Sequence, residues 1–302
     1  MPSRESQRMR KLLSMQLAPL FRGEVEIAEA RAFFEAISED APRPPSIDIE
    51  GVEGLGVRGE WLCPREGDEG GVVLYLHGGA FVFGSCNTHR QLAAQIAIAA
   101  QARALVVEYR LAPEHPFPAG LDDAVRSYRA LLNSGLDPCR IIIAGDSAGG
   151  GLALAALIAL RETGCPLPAG AVLLSPWTDL ALTGESHVTR AAADPLLTTE
   201  GMPELVRAYL GERDPRTPLA SPLYADLAGL PPLFVQVGDD EVLLDDATRV
   251  ARRAEAASVE VTLEIWEGMW HVFQQTAARV PEAREAVCRI GEFVKKRLAA
   301  AG

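Results

Sequence analysis

The sequence predicts an α/β protein with a mostly parallel sheet, and three observations support this fold class. Short apolar runs rich in β-branched residues recur along the chain, and each is bounded by glycine or polar residues. Longer stretches with helical spacing of apolar residues separate these runs, an alternation typical of parallel sheets. The runs are nearly continuous in apolar residues, as strands buried on both faces must be. We predict strands at VVLYLH (72–77), ALVVEY (104–109), IIIAG (141–145), AVLLS (171–175), LFVQVG (233–238) and VEVTLEIW (259–266).

Helices are expected between these strands, and two further regions lie outside the alternation. The helical stretches are 90–101, 121–133, 147–163, 245–257 and 282–298. Residues 1–45 carry apolar residues at helical spacing until APRPPS (41–46), where prolines remove amide donors and fix φ. Residues 181–230 hold five prolines around short helices and no clear strand. We therefore predict a core of 46–180 and 231–302, with 1–45 and 181–230 as two segments of a helical cap.

The composition excludes several classes of function. The 302 residues include 29 Lys and Arg against 41 Asp and Glu, which gives a net charge of −12. A chain of this sign is a poor partner for nucleic acid or an anionic membrane surface. A hydrophobic content of 48% is ordinary for a globular protein with a sizeable core. We expect no nucleic-acid partner and no stable membrane association.

The cysteines and the amino terminus indicate a cytoplasmic protein. Five scattered cysteines without C-x-x-C spacing argue against both a disulfide framework and a zinc site. The first residues, MPSRESQRMRKLLSMQLAPLF, lack the apolar core of a signal peptide. The longest apolar runs reach only about half of a membrane span.

The clearest candidate for chemistry is a serine between a predicted strand and a predicted helix. Gly145-Asp146-Ser147-Ala148-Gly149 follows IIIA and opens a long apolar helix. A G-x-S-x-G motif occurs often by chance, and a helix-capping serine in a glycine-rich turn would explain it equally. Its position in the order strand, turn, helix favours a nucleophile elbow with an exposed hydroxyl. We predict that Ser147 is a nucleophile.

A second glycine-rich turn follows the strand VVLYL. His77-Gly78-Gly79-Ala80 offers backbone N–H groups that a ligand can approach without a Cβ in the way. Acyl transfer develops negative charge on a carbonyl oxygen, which such groups stabilise. We predict Gly78, Gly79 and the Ala148 amide as an oxyanion hole, and we expect His77 to hold the turn by hydrogen bonding.

Together these motifs resemble the hormone-sensitive-lipase-like (family IV) bacterial esterases of the α/β-hydrolase superfamily. The matching segments are HGGAFVFG (77–84), YRLAPEHPFPA (109–119), GDSAGGGLA (145–153), SPWTDL (175–180) and MWHVFQ (269–274). The resemblance implies an eight-stranded sheet, a helical cap, no cofactor and short- or medium-chain acyl esters as substrates. It also implies a homodimer through a sheet edge as one assembly. Ala80 stands where many members have a third glycine, from which we expect little loss.

The general base is chosen from five histidines: His77, His89, His115, His187 and His271. The chain order of this fold, nucleophile then acid then base, leaves only the last two. His187 follows no strand and is interpreted as a surface residue, whereas His271 comes shortly after a late strand. His115 lies in the APEHPFP turn and is interpreted as structural. We predict that His271 is the base.

The acid is chosen from the five carboxylates of DDEVLLDD (239–246). Several of them could simply favour the start of a helix. Relatives usually carry the acid in a D-P-L-x-D pattern, and aligning Leu243 and Asp245 with it assigns the acid to Glu241. Asp240 and Asp245 remain alternatives, and Asp245 is otherwise expected to bond backbone near the base.

These assignments predict a serine carboxylesterase that works through an acyl-enzyme. Trp177 in SPWTDL either lines the acyl pocket or belongs to the core. The same residues could serve an amide, lactone or carbamate hydrolase. A non-catalytic receptor-like binding protein is a weaker alternative, since it predicts a missing base or a broken oxyanion turn. Protonation of the base should produce an acid limb at about pH 6–7.

Overall fold

A computed structural model describes residues 2–17, 25–39, 44, 46–53, 55–67 and 70–300. Its centre is a single eight-stranded sheet. The strands are β1 (Ile47–Gly51), β2 (Gly59–Pro64), β3 (Val72–Leu76), β4 (Arg103–Val107), β5 (Ile141–Asp146), β6 (Gly170–Leu174), β7 (Leu233–Gly238) and β8 (Val261–Trp266). The predicted break at APRPPS falls mostly outside the described residues.

Helices cover the sheet and connect its strands. They are α1 (Arg4–Gln16), α2 (Ile27–Glu39), α3 (Cys86–Ala100), α4 (Ala119–Asn133), α5 (Ala148–Glu162), α6 (Ser186–Thr189), α7 (Met202–Leu210), α8 (Leu244–Ala256) and α9 (Pro281–Ala299). Short 3₁₀ turns occur at Pro138–Arg140, Pro222–Tyr224 and Phe273–Thr276.

The strand order is β1-β2-β4-β3-β5-β6-β7-β8. The pairs β1–β2 and β2–β4 are antiparallel, and every pair from β4 to β8 is parallel. In β3 and β5, Leu76 pairs with Gly145, so the turns that follow both strands lie side by side. Open parallel sheets bind ligands at this carboxyl edge. The predicted α/β class with a mostly parallel sheet is confirmed.

Strands β1 and β2 were missing from the pattern of apolar runs. Their sequences, IDIEG and GEWLCP, are mixed, because both strands lie at one edge of the sheet and are only partly buried. Helix α3 also begins earlier than its apolar spacing predicts. Ser85 and Thr88 form a reciprocal capping box there, which satisfies amides that the helix start leaves open.

Helices α1 and α2 are attached to the core through arginine side chains. Arg31 of α2 donates to the carbonyl oxygens of Val82 and Ala112, both at 2.7 Å, and pairs with Glu114. Residues 181–230, all of which the structure describes, contain α6 and α7 and no strand. The division of the chain into a core and two cap segments stays a prediction.

Candidate active site

Ser147 lies at a sharp turn between β5 and α5. Its backbone angles are φ 54° and ψ −123°, which an L-residue rarely adopts. The turn is possible because the residues two positions before and after the serine are glycines: a Cβ on Gly149 would overlap the carbonyl oxygens of Leu76 and His77. The Ser147 amide donates to the Leu174 carbonyl oxygen at 2.8 Å, which ties the turn to β6. Tight backbone packing thus maintains the strained serine.

His271 contacts the serine hydroxyl directly. Its Nε2 lies 2.9 Å from Ser147 Oγ, and its Nδ1 lies 2.8 Å from Glu241 Oε2. Burial alone would lower the pKa of His271, but the hydrogen bond and charge of Glu241 oppose it. With smaller contributions from Asp194 and Asp146, the pKa of His271 is held above its ordinary value. The structure brings the predicted nucleophile, base and acid into one hydrogen-bonded chain.

Glu241 is completely buried, and both of its carboxylate oxygens have partners. Oε2 faces the base, while Oε1 accepts from the Gly238 amide at 2.7 Å and from Ser175 Oγ at 2.8 Å. Ser175 Oγ also accepts from the Val272 amide at 3.1 Å. One hydroxyl therefore joins the loop of the acid to the loop of the base. Sequence reasoning missed Ser175, although its position directly after β6 was a usable signal.

The alternative acids point elsewhere. Asp240 Oδ2 pairs with Arg10 at 2.7 Å, and Asp245 Oδ2 accepts from the Ser186 amide at 2.9 Å. Asp245 therefore bonds backbone, as expected, but its partner is Ser186 of α6. Asp246 is buried and accepts from two amides of the SPWTDL segment, both at 2.8 Å.

The oxyanion turn requires one correction. The Gly78 amide donates to Asp146 Oδ1 at 3.1 Å, so the prediction that it serves the oxyanion is wrong. No acceptor among the described residues bonds the backbone amides of Gly79, Ala80 and Ala148, so these amides are available to an oxyanion. Ala80 has φ +53°, a left-handed conformation that favours glycine. The alanine at the third position of the turn is therefore more strained than a glycine would be.

Asp146 connects this turn to the nucleophile. Its carboxylate accepts from Tyr75 Oη at 2.7 Å and lies 3.2 Å from His89 Nε2, in addition to its bond with Gly78. Burial raises the pKa of Asp146, but His89 and the Tyr75 hydroxyl outweigh this, so the pKa is lowered. The side chain directly before Ser147 is thus an ionised anchor for the oxyanion turn.

The remaining histidines have structural surroundings. His77 Nδ1 donates to the Gly78 carbonyl oxygen at 2.7 Å, and its ring stacks on Tyr109 with centroids 4.2 Å apart. Burial lowers the pKa of His77 to about 3, so it is neutral and holds the turn as expected. His115 is exposed. His187 is buried between α6 and α8, which contradicts its interpretation as a surface residue.

A cavity of about 120 Å³ opens in front of Ser147. Its walls include Phe34 and Ile37 of α2, Phe83 of HGGAFVFG (77–84) and Leu196 of residues 181–230. Trp177 is not among the residues that line it; the ring is buried near Phe81, with centroids 6.1 Å apart. The backbone amide of Trp177 donates to the Ser147 carbonyl oxygen at 2.9 Å. Of the two interpretations of Trp177, burial in the core fits this structure.

A second groove lies away from the serine. A larger groove of about 1090 Å³ lies between α4, α5 and residues 217–219, and its lining contains none of the three hydrogen-bonded site residues. No group of three or more His, Cys, Asp or Glu side chains in the described ranges could hold a metal ion. Among the helices that the structure describes, none is both long and apolar enough to cross a bilayer.

Comparison with known proteins identifies the family. A family model described as alpha/beta hydrolase fold matches residues 73–275. An acetyl-hydrolase of Streptomyces hygroscopicus is 49% identical over 236 residues, which are 78% of this chain and 79% of that protein. An esterase of Acinetobacter venetianus is 42% identical over 253 residues, 83% of each chain. A solved structure of an esterase from the bacterial hormone-sensitive lipase family is 46% identical, with a TM-score of 0.93 and 99% of both chains covered. The chain therefore belongs to the bacterial hormone-sensitive lipase family of the alpha/beta hydrolases.

Proposed function

We propose that this protein is a serine carboxylesterase that hydrolyses short- to medium-chain acyl esters through Ser147, His271 and Glu241. The chain is a carboxylic ester hydrolase, as its relatives are named. The catalytic assignment rests on one observation: the hydrogen bonds of 2.9 Å and 2.8 Å that join serine to histidine and histidine to glutamate. A nucleophile, a base and an acid that are hydrogen-bonded in this order activate the serine hydroxyl, which is a weak nucleophile by itself.

In the first half of the reaction, Ser147 Oγ attacks the ester carbonyl carbon while His271 Nε2 takes the hydroxyl proton. Glu241 keeps Nδ1 protonated and stabilises the imidazolium that forms. The tetrahedral intermediate then expels the alcohol, which receives the proton from His271 Nε2. The acyl group remains on the serine.

In the second half, a water molecule attacks the acyl-enzyme. His271 takes one proton from this water and returns it to Ser147 Oγ as the carboxylic acid leaves. In both halves the negative charge develops on the same carbonyl oxygen. We assign its stabilisation to the amides of Gly79, Ala80 and Ala148, since Gly78 is committed to Asp146.

The cavity supports a preference for short acyl groups. Its volume of about 120 Å³ lies well below the roughly 300–1,000 Å³ of pockets that hold drug-sized ligands. Aromatic walls limit extension, because Phe34 and Phe83 stack with centroids 5.1 Å apart. We expect acetyl and butyryl esters to react faster than octanoyl esters. The cytoplasmic location and the homodimer stay predictions.

The test is the initial rate of p-nitrophenyl butyrate hydrolysis by the wild type and by Ser147→Ala. We expect wild-type turnover and a loss on the order of 10⁴-fold in the variant, because Ser147 carries the only hydroxyl among the described residues that contacts the base. Equal rates would overturn the nucleophile. No turnover by folded wild type would refute ester hydrolysis, and a panel of amides, lactones and carbamates would then test the same residues on other substrates.

A further inference from the structure

Arg10 of α1 reaches three separate segments with one guanidinium group. Nη1 donates to Asp240 Oδ2 at 2.7 Å and to the Gly268 carbonyl oxygen at 3.4 Å. Nη2 donates to the Ala193 carbonyl oxygen. These partners belong to the loop after β7, the turn after β8 and the segment 181–230. A rigid fork of several donors suits this role, and a single ammonium group could not satisfy all three acceptors in the same geometry.

Two of the three contacts lie close in sequence to a residue of the site. Asp240 directly precedes Glu241, and Gly268 comes three residues before His271. Arg10 therefore holds the loop of the acid and the turn of the base from the same side. Neither contact belongs to the Ser147–His271–Glu241 chain itself.

The third contact leads to a matching restraint on the other side of the acid. Ala193 precedes Asp194, whose Oδ2 accepts from the Val242 amide at 2.9 Å. Its Oδ1 accepts from the amides of Leu196 and Leu197 at 2.9 and 3.0 Å. The residue before Glu241 is thus bonded by α1, and the residue after it is bonded by the segment 181–230.

We propose that Arg10 is a positioning residue for the catalytic acid and base. Through Arg10, α1 and the segment 181–230 fix the positions of the loops that carry Glu241 and His271. This inference rests on the proposed esterase function. It predicts that loss of the guanidinium changes the chemical step although the side chain never touches substrate.

The pH profile distinguishes positioning from simple support of the fold. The charged groups that face His271 are Glu241, Asp194 and Asp146, and all three raise its pKa. If the Glu241 loop relaxes, the carboxylate moves from Nδ1 and the pKa of His271 falls. The acid limb of kcat/KM would then move to lower pH. A loss of folded protein alone would scale the whole profile and leave the limb unmoved.

The experiment compares Arg10→Met with Arg8→Met, the same substitution at an exposed position of the same helix. Rates are measured with p-nitrophenyl butyrate from pH 4.5 to 9 and divided by active sites counted with a p-nitrophenyl phosphonate. We expect kcat per site to fall about tenfold in Arg10→Met, with the acid limb shifted downward and KM changed less than kcat. Arg8→Met should match the wild type. Wild-type kcat and limb in Arg10→Met, or a change in KM alone, would overturn the proposal.

Two further variants trace the effect to its partners. Arg10→Lys should recover only part of kcat, because an ammonium group cannot span the acceptors. Asp240→Asn combined with Arg10→Met should lose less than the product of the two single losses if they act through one contact. Full additivity would overturn the route through Asp240. Failure of Ser147→Ala to abolish turnover would instead refute the proposed function, so the two failures are distinguishable.

Discussion

The two halves of the site are held by different kinds of interaction. The nucleophile half, Ser147 and the oxyanion turn, is locked by backbone contacts at the ends of β3 and β5, where there is no space for a Cβ. The acid–base half, Glu241 and His271, lies on loops and is held by side chains, notably Ser175 and Arg10. Substitutions in the nucleophile half should therefore prevent the turn from forming. Substitutions in the acid–base half should change the rate and its pH dependence by degrees.

The largest effect is expected from Gly149→Ala in the nucleophile half. The added Cβ would overlap two backbone carbonyl oxygens that have no room to move. We expect destabilisation by more than about 3 kcal/mol and loss of hydrolysis, measured by urea unfolding and by rate. Gly51→Ala, where a Cβ meets nothing within 4 Å, is the control and should stay near wild type. Similar behaviour of both variants would contradict a sterically locked turn.

A smaller effect is expected from Asp146→Asn, which keeps the shape of the anchor but removes its charge. Gly78 would lose a charge-assisted acceptor, and His89 Nε2 would lose the carboxylate oxygen that lies 3.2 Å from it. We expect kcat for p-nitrophenyl butyrate to fall by about tenfold or more as the oxyanion turn loosens. Tyr75→Phe removes only one hydrogen bond to the same carboxylate and should cost less. A wild-type kcat in Asp146→Asn would show that the turn needs no ionised anchor.

The acid–base half should reveal itself in the pH dependence of kcat/KM. His271 must be neutral to accept the serine proton, so activity falls as pH drops through its pKa. Because Glu241 raises that pKa, we expect the midpoint of the acid limb above about pH 6.5, the ordinary value for histidine. A profile that stays flat down to about pH 5 would contradict a base held by a buried carboxylate.

The smallest effect is expected from Ala80→Gly in the oxyanion turn. The left-handed conformation at φ +53° strains an alanine and suits glycine. We expect this variant to gain about 1 kcal/mol in the free energy of unfolding, measured by urea unfolding. Ala159→Gly, within helix α5, should instead lose about 0.5–1 kcal/mol. Destabilisation by Ala80→Gly would show that the turn is not strained at this position.

The same contrast explains how much of the molecule could be predicted from sequence. The buried strands β3 to β7 were predicted because burial on both faces requires continuous apolar runs. The sharp turn at Ser147 was predicted because it requires glycines, which appear in the sequence as a motif. The edge strands β1 and β2 were missed because half-exposed strands tolerate mixed residues.

The errors within the site concern contacts between distant segments. No sequence pattern indicates that the Gly78 amide, predicted to bind the oxyanion, donates to the Asp146 carboxylate. His187 looked exposed because no local pattern indicates that α6 packs on α8. Ser175, Arg10 and Asp194 act across 48 residues or more of sequence, and their partners become evident only in three dimensions.

The most direct test of the central claim compares Glu241→Gln with Asp245→Asn. Both substitutions replace a carboxylate by an isosteric amide, one in the loop after β7 and one in the first turn of α8, but only Glu241 contacts the base. With folding checked by circular dichroism, we predict that Glu241→Gln lowers kcat for p-nitrophenyl butyrate by about 10³-fold or more, because Nδ1 of His271 loses its acceptor. Asp245→Asn should stay within about threefold of wild type. A wild-type rate in Glu241→Gln, or an equal loss in both variants, would contradict the Ser147–His271–Glu241 assignment.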